Sequence, residues 1–405
     1  MDPLDILENL SDVKPAFQPI VSAVKHTVIG YEVLGRFHFQ NEWISLGNFF
    51  HDSDVPDEYK VVVDQHLLEL AICQLLDSGN DRLLFINRNA KQLLINSGED
   101  FLETLQKYEK KGFSMNRIVL EITEHDFDED FDRLHHLLMY YKTYGIQIAV
   151  DHVGAKSSNI DRIRQLRPHI LKVDTSLVRN AKPEAFQDVV QTLTVLARRI
   201  GAKLSYENIE DSYQLYFAWK NGGHYYQGFY LAKPAFELPA ESFNPLAVRE
   251  KITAFVQREK SMIQQRYAFT VSLEEKVKKR LSKWQGADTA DQFIESLAEP
   301  FDKESFRLYV CNSDGQQVSS NYQKRQDHWV LESDHIGSYW AFRPYFLENV
   351  MQMKTWHKGI LSDVYSDIET TKMIRTFSFP LSDEFYLFID ISNDFISEAD
   401  YLLFQ

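Results

Sequence analysis

Short β-rich runs recur along the first half of this chain, and each carries near its end a residue that a hydrophobic core would not choose. The runs are Phe17–Ile20, Val28–Leu34, Leu83–Asn87, Arg117–Thr123, Gln147–Asp151, His169–Asp174, Lys203–Glu207 and Tyr225–Tyr230. The misplaced residues are Glu32, Asn87, Glu121, Asp151, Lys172 with Asp174, Glu207 and Gln227. An ionised carboxylate inside a run such as Arg117-Ile118-Val119-Leu120-Glu121-Ile122-Thr123 costs several kcal/mol if it is buried without compensation. A single case would be an exposed strand end. The same relative position in successive strands is instead a ring around one barrel mouth, the end at which such barrels build their sites.

Amphipathic stretches such as Glu58–Leu76 and Phe186–Ile200 separate the runs, with apolar residues three and four apart. Strand–helix alternation at this spacing predicts a parallel α/β sheet, and the number of repeats predicts that it closes. The first two runs are joined by too few residues for a crossover helix, so they are expected to form an antiparallel hairpin.

Carboxylates and one amide carbonyl are hard oxygen donors, suited to Mg²⁺, Mn²⁺ or Ca²⁺ and ill suited to copper or structural zinc. Lys172 beside them could lose its proton, as a base requires, if it were desolvated and flanked by metal charge. Divalent cations held by carboxylates, with a Lys and an Arg nearby, suit hydrolysis of a phosphate ester. The formal net charge of −15 argues against a general partner of nucleic-acid polymers or anionic membranes, whose binders collect Lys and Arg.

These residues also fall in an order that resembles a known family. Tyr31-Glu32-Val33-Leu34-Gly35-Arg36 is similar to the E-x-L-x-R signature of EAL domains, with Val33 in the usual Ala place, and Phe17-Gln18-Pro19-Ile20 resembles the motif before it. Glu121-Ile122-Thr123-Glu124, Leu171-Lys172-Val173-Asp174, Tyr206-Glu207-Asn208-Ile209-Glu210, Gln227-Gly228 and Lys233-Pro234 resemble the later elements in sequence. The resemblance implies a modified (β/α)₈ barrel with one reversed strand that binds cyclic di-GMP and hydrolyses it to pGpG. By the same resemblance Glu32, Asn87, Glu121 and Asp151 are metal ligands, and Lys172 and Glu207 act at the reacting centre. Arg36 pairs with a phosphate, while Gln18, Leu34, Asp174 and Gln227 contact substrate. Thr123, Glu124, His152 and Glu210 support them. The implied cofactor is Mg²⁺ or Mn²⁺, with Ca²⁺ binding as an inhibitor.

One position departs from the pattern. After Asp151 the family carries a second Asp and a flexible Gly-containing loop; here the chain reads His152-Val153-Gly154-Ala155-Lys156. A neutral imidazole serves Mg²⁺ poorly. Reduced turnover is therefore expected, and the alternative is a non-catalytic cyclic di-GMP receptor.

With 405 residues, two domains are expected. The reading is an EAL barrel over residues 1–240, a helical linker over 241–286, and a small α+β module over 287–405. This module resembles PAS-like or Cache-type sensors, with Arg343, Tyr345 and Asp390 the residues that would line a pocket for a small ligand. The competing reading is a dimerisation or folding module, the former making a homodimer. Two distant cysteines, Cys73 and Cys311, give neither a disulfide framework nor a zinc spacing. With no apolar run of the roughly 18 residues that a membrane span needs, a soluble, cytoplasmic protein is expected.

Overall fold

The computed structural model describes residues 3–123, 131–154, 160–176, 183–238, 243–343 and 346–392. Glu124, Lys156 and Tyr345 lie outside the described residues. The chain divides into two compact units, Met1–Phe255 and Val256–Gln405.

The first unit is built on nine strands: β1 (Val13–Ser22), β2 (Val28–Phe39), β3 (Glu42–Ser45), β4 (Leu83–Asn87), β5 (Ile118–Thr123), β6 (Gln147–Asp151), β7 (Ile170–Asp174), β8 (Lys203–Glu207) and β9 (Tyr225–Tyr226). From β2 through β4 to β9, each strand is parallel to the next. β1 pairs antiparallel with both β2 and β9, so it closes the barrel as the one reversed strand. The short turn after β1 enforces this, because only an antiparallel partner can follow so closely.

Side chains alternate across each strand, so residues two apart share a face. Ile20, Phe85, Val119, Ala149, Ile170 and Tyr225 form an apolar plug inside the barrel. Gln18, Asn87, Glu121, Asp151, Lys172 and Gln227 each stand two residues from a member of that plug, toward the mouth. The opposite faces, among them Leu84, Leu120, Val150, Leu171 and Leu204, pack under helices that contribute Leu68, Ile72, Leu138 and Leu193. The regular alternation therefore places one polar layer directly above one apolar layer.

The second unit is an antiparallel sheet in the order β12–β11–β10–β16–β15–β13, with β14 also on β15. The strands are β10 (Ser305–Asn312), β11 (Asn321–Arg325), β12 (His328–Glu332), β13 (Ile360–Leu361), β14 (Tyr365–Ser366), β15 (Met373–Pro380) and β16 (Phe385–Ser392). Leu308, Val310, Leu387 and Ile389 bury one face under the helix Ala290–Phe301. Tyr309, Cys311, Tyr386 and Phe388 bury the other under the helix Phe346–Trp356.

Two details differ from the sequence reading. The Ser313-Asp314-Gly315 segment predicts a hairpin between strands at Phe306–Asn312 and Gln317–Tyr322; the second becomes a strand only from Asn321, and it turns into β12 through Gln326 and Asp327, both at positive φ. Likewise β2 runs on past Leu34 to a turn at Gln40 and Asn41, also at positive φ, and returns as β3. Neither turn contains the glycine that advertises a tight hairpin.

Candidate metal centre at the barrel mouth

The polar layer converges on Lys172. Its Nζ lies 2.8 Å from Glu121 Oε2, 3.1 Å from Glu207 Oε2, 3.2 Å from Glu32 Oε2 and 4.0 Å from Asp151 Oδ1. Four strands thus deliver four carboxylates to one ammonium that is itself fully buried. Asn87 Nδ2 donates to Glu32 Oε1 at 2.6 Å, and Gln227 Nε2 donates to Glu32 Oε2 at 2.5 Å and to Gln18 Oε1 at 3.2 Å. Gly228 makes the Gln227 position possible. Its φ is +153°, and a Cβ there would lie 2.1 Å from the Ile209 carbonyl oxygen, a contact that excludes every side chain.

The electrostatics follow from this packing. Burial works against the Lys172 charge, but Asp151, Glu121, Glu207 and Glu32 outweigh it and hold the lysine firmly protonated. Desolvation alone therefore does not free a base here; the expected loss of the proton also called for metal charge beside the lysine, which would oppose these carboxylates. Burial, then the neighbouring Glu32, pushes the Glu121 carboxyl well above the usual range although Lys172 pulls it back. Burial and Glu207 raise Asp151 to about 6. Burial also opposes the Glu207 charge, but Lys172 and His152 prevail and lower its pKa.

One lysine cannot neutralise four carboxylates, and Glu121 Oε1 is buried with no hydrogen-bond partner. An orphaned acceptor in a ring of excess negative charge has the chemistry that suits a cation. Asp151, His152 and Glu207 each offer a donor atom within 4.8 Å of the others. His152 sits in left-handed backbone, φ +55°, with Nδ1 3.3 Å from Glu207 Oε1 and Nε2 3.7 Å from Asp151 Oδ2. The imidazole therefore belongs to the cluster itself, and its hydrogen bond to Glu207 raises its pKa to about 9.

The remaining expected residues are spread around this centre. Arg36 stands half-buried on β2, with Nη1 donating to the Gly35 carbonyl at 2.9 Å. Leu34 and Thr123 are partly exposed on β2 and β5. Asp174 caps its own turn, accepting from the Ser176 backbone N–H at 2.7 Å. Glu210 is exposed, and its backbone N–H donates to Gln214 Oε1. A support that the sequence reading missed lies behind Asn87. Arg88 pairs with half-buried Asp64 at 3.1 Å and donates to the Asn87 carbonyl at 2.9 Å, while its backbone N–H donates to the Glu121 carbonyl. The adjacency of Arg88 to Asn87 was its only signal.

Residues 5–234 match the family described as the EAL domain. The chain belongs to the EAL-domain family. Residues 242–403 match the EAL-domain associated signalling protein domain. Along its whole length the chain is 42% identical, over 406 residues, to the EAL-domain containing protein YkuI of Bacillus subtilis (strain 168), covering 100% of both. It superposes on the crystal structure of that YkuI protein in complex with its substrate c-di-GMP and calcium, with a TM-score of 0.92, covering 97% of this chain and 99% of the other. The cyclic di-GMP phosphodiesterase PA2567 of Pseudomonas aeruginosa is 32% identical over 231 residues, 54% of this chain and 38% of that protein. Among the described residues, no helix is long and apolar enough to cross a membrane.

Proposed function

We propose that this EAL-domain protein binds cyclic di-GMP through a divalent cation at the barrel mouth and hydrolyses it slowly to pGpG. The observation that carries the reading is the ring of four carboxylates around Lys172, with one buried Glu121 oxygen left unpaired. Glu32, Asn87, Glu121 and Asp151 are the proposed ligands, with Glu207 at the edge of the set. A divalent cation bound there supplies Lewis acidity toward a phosphoryl oxygen and lowers the pKa of water. The protein's own groups do the rest. Arg36 pairs with a phosphate, and Gln227 with Gln18 fixes the Glu32 carboxylate. Lys172 holds three carboxylates in register. In the reaction a water oxygen bonds to phosphorus, one P–O ester bond breaks, and the departing ribose oxygen takes a proton to give linear pGpG.

His152 favours the second reading, a receptor with little turnover. Its ring stands between Asp151 and Glu207, where a hard cation would need anionic oxygen. Titration of the full-length protein with cyclic di-GMP in Ca²⁺, followed by product analysis in Mg²⁺ and then Mn²⁺, separates the readings. Binding with slow hydrolysis is the expected result, faster in Mn²⁺ because it accepts nitrogen donors more readily. Binding with no product leaves a receptor, and no binding removes the ligand from this site.

A further inference from the structure

The strand that carries Glu32 continues beyond the barrel, and its continuation has two unlike faces. Val13, Phe37, Phe39 and Ile44 pack on one side with Val63 and Leu67 of the helix Asp57–Asp77. The other side continues the face of Gln18 and Glu32, because the β1–β2 register runs unshifted from Gln18↔Glu32 to Lys14↔Arg36. On the far edge Arg36 pairs with Ser45 and His38 with Trp43. The result is a shelf leading away from the carboxylate ring: Leu34, then Arg36 beside Lys14, then His38 beside Trp43.

Two features of the shelf point to a ligand. Lys14 and Arg36 stand directly opposite one another on adjacent strands, a like-charge pairing that is destabilising by itself and becomes favourable around an anion. In a chain of net charge −15, neither forms an ion pair with a described residue. Trp43 is 39% exposed, held between the tilted rings of His38 (centroids 4.9 Å) and Phe236 (4.7 Å), with Lys14 Nζ 5.5 Å from its ring centroid. A fixed, accessible indole next to two cations matches a purine nucleotide: the ring offers a stacking surface and the cations meet its phosphate.

We infer that Lys14 and Trp43 form the outer half of the dinucleotide site, taking the purine and phosphate that lie farther from the metal-binding carboxylates. The inference rests on the proposed cyclic di-GMP reading. That ligand has two purines and two phosphates, and the phosphate away from the cations must find its positive charge in the protein. Lys14 then moves from the indole face to the phosphate as the base stacks.

The test is calorimetric titration of the full-length protein with cyclic di-GMP in Ca²⁺. Trp43→Ala should weaken binding about tenfold and Trp43→Phe by less, since a smaller ring still stacks. Lys14→Gln should weaken it about fivefold and flatten its dependence on salt. Calcium affinity should be unchanged in all three, a readout that a general loss of structure would move. Ligand-induced quenching of tryptophan fluorescence should shrink in Trp43→Phe. Tight binding by the unsubstituted protein, with affinity kept within about twofold in both Trp43→Ala and Lys14→Gln, overturns the shelf and leaves the mouth site standing. Absence of binding by the unsubstituted protein overturns both.

Discussion

Each unit of this protein gathers acids around one buried basic side chain, Lys172 or Arg307, and the two clusters differ in how their oxygens are used. In the second unit Arg307 binds Asp390 Oδ2 at 2.7 Å, Asp367 Oδ1 at 2.5 Å and Glu369 Oε2 at 2.8 Å. The other oxygens are also taken: Thr376 donates to Asp390 Oδ1, Thr370 donates to Asp367 Oδ2, and His335 lies 3.0 Å from Glu369 Oε1. At the barrel mouth four carboxylates share one lysine and a Glu121 oxygen has no partner. A filled cluster is a fastening, whereas an underfilled one is a place for something else. Asp390 belongs to the first kind, so the sequence-based expectation that it lines a small-molecule pocket does not fit the contacts it makes.

The sharpest way to break this comparison is to empty the filled cluster. Arg307→Met leaves buried carboxylates without their cation and should destabilise the second unit by about 3–5 kcal/mol. Urea unfolding would register the loss, while calcium binding at the mouth should be untouched; a stable variant would mean that the fastening is dispensable. Next in size, Arg36→Ala should weaken cyclic di-GMP binding by about 2–4 kcal/mol, as for a charge-assisted pair broken in a partly buried site. Unchanged affinity in the folded variant would take Arg36 out of the site.

His152→Asp tests whether the imidazole limits turnover by standing where an anionic oxygen would help to hold a hard cation. Turnover in Mg²⁺ should rise tenfold or more, about 1.4 kcal/mol of barrier, with little change in dinucleotide affinity. If turnover stays flat while a replaced 154–156 loop restores it, the loop is the cause.

The smallest effect is a pH dependence. His152 has its pKa raised to about 9 in the folded protein by the Glu207 hydrogen bond, against about 6.5 unfolded. Its contribution to stability is therefore complete below pH 6.5 and lost as pH climbs through about 9. Because the ring is 42% exposed, screening should hold it below about 1 kcal/mol. Asp151, raised to about 6, acts lower, reducing stability as pH rises from about 4 to 6. Unfolding with a chelator present, in the original protein and in His152→Gln, would show whether the alkaline slope disappears with the ring.

The filled and underfilled clusters were unequally legible in the sequence. Asn87, Glu121, Asp151 and Lys172 each sit two positions from an interior apolar residue on their own strand, as in Phe85 and Asn87 or Val119 and Glu121, so period-two alternation exposes them locally. Arg307 and Asp390 are 83 residues apart, and neither strand looks unusual alone. The β2–β3 extension was missed because Gln40 and Asn41 give no glycine cue. The alternation of Arg36, Phe37, His38 and Phe39 was the signal that the strand went on. The protonation of Lys172 depends on how many acids converge from distant strands, which no local pattern counts.

The reversed first strand has a consequence for how the protein is made. Gln18 and Gln227 meet across 209 residues, and β1 has no second neighbour until β9 arrives. Such long-range closure is slow compared with local helix formation. During synthesis, therefore, Glu32, Glu121 and Asp151 would already be translated while Glu32 still lacked its amide clamp. Ligand competence would appear late and all at once, when the last barrel strand leaves the ribosome and docks against the first.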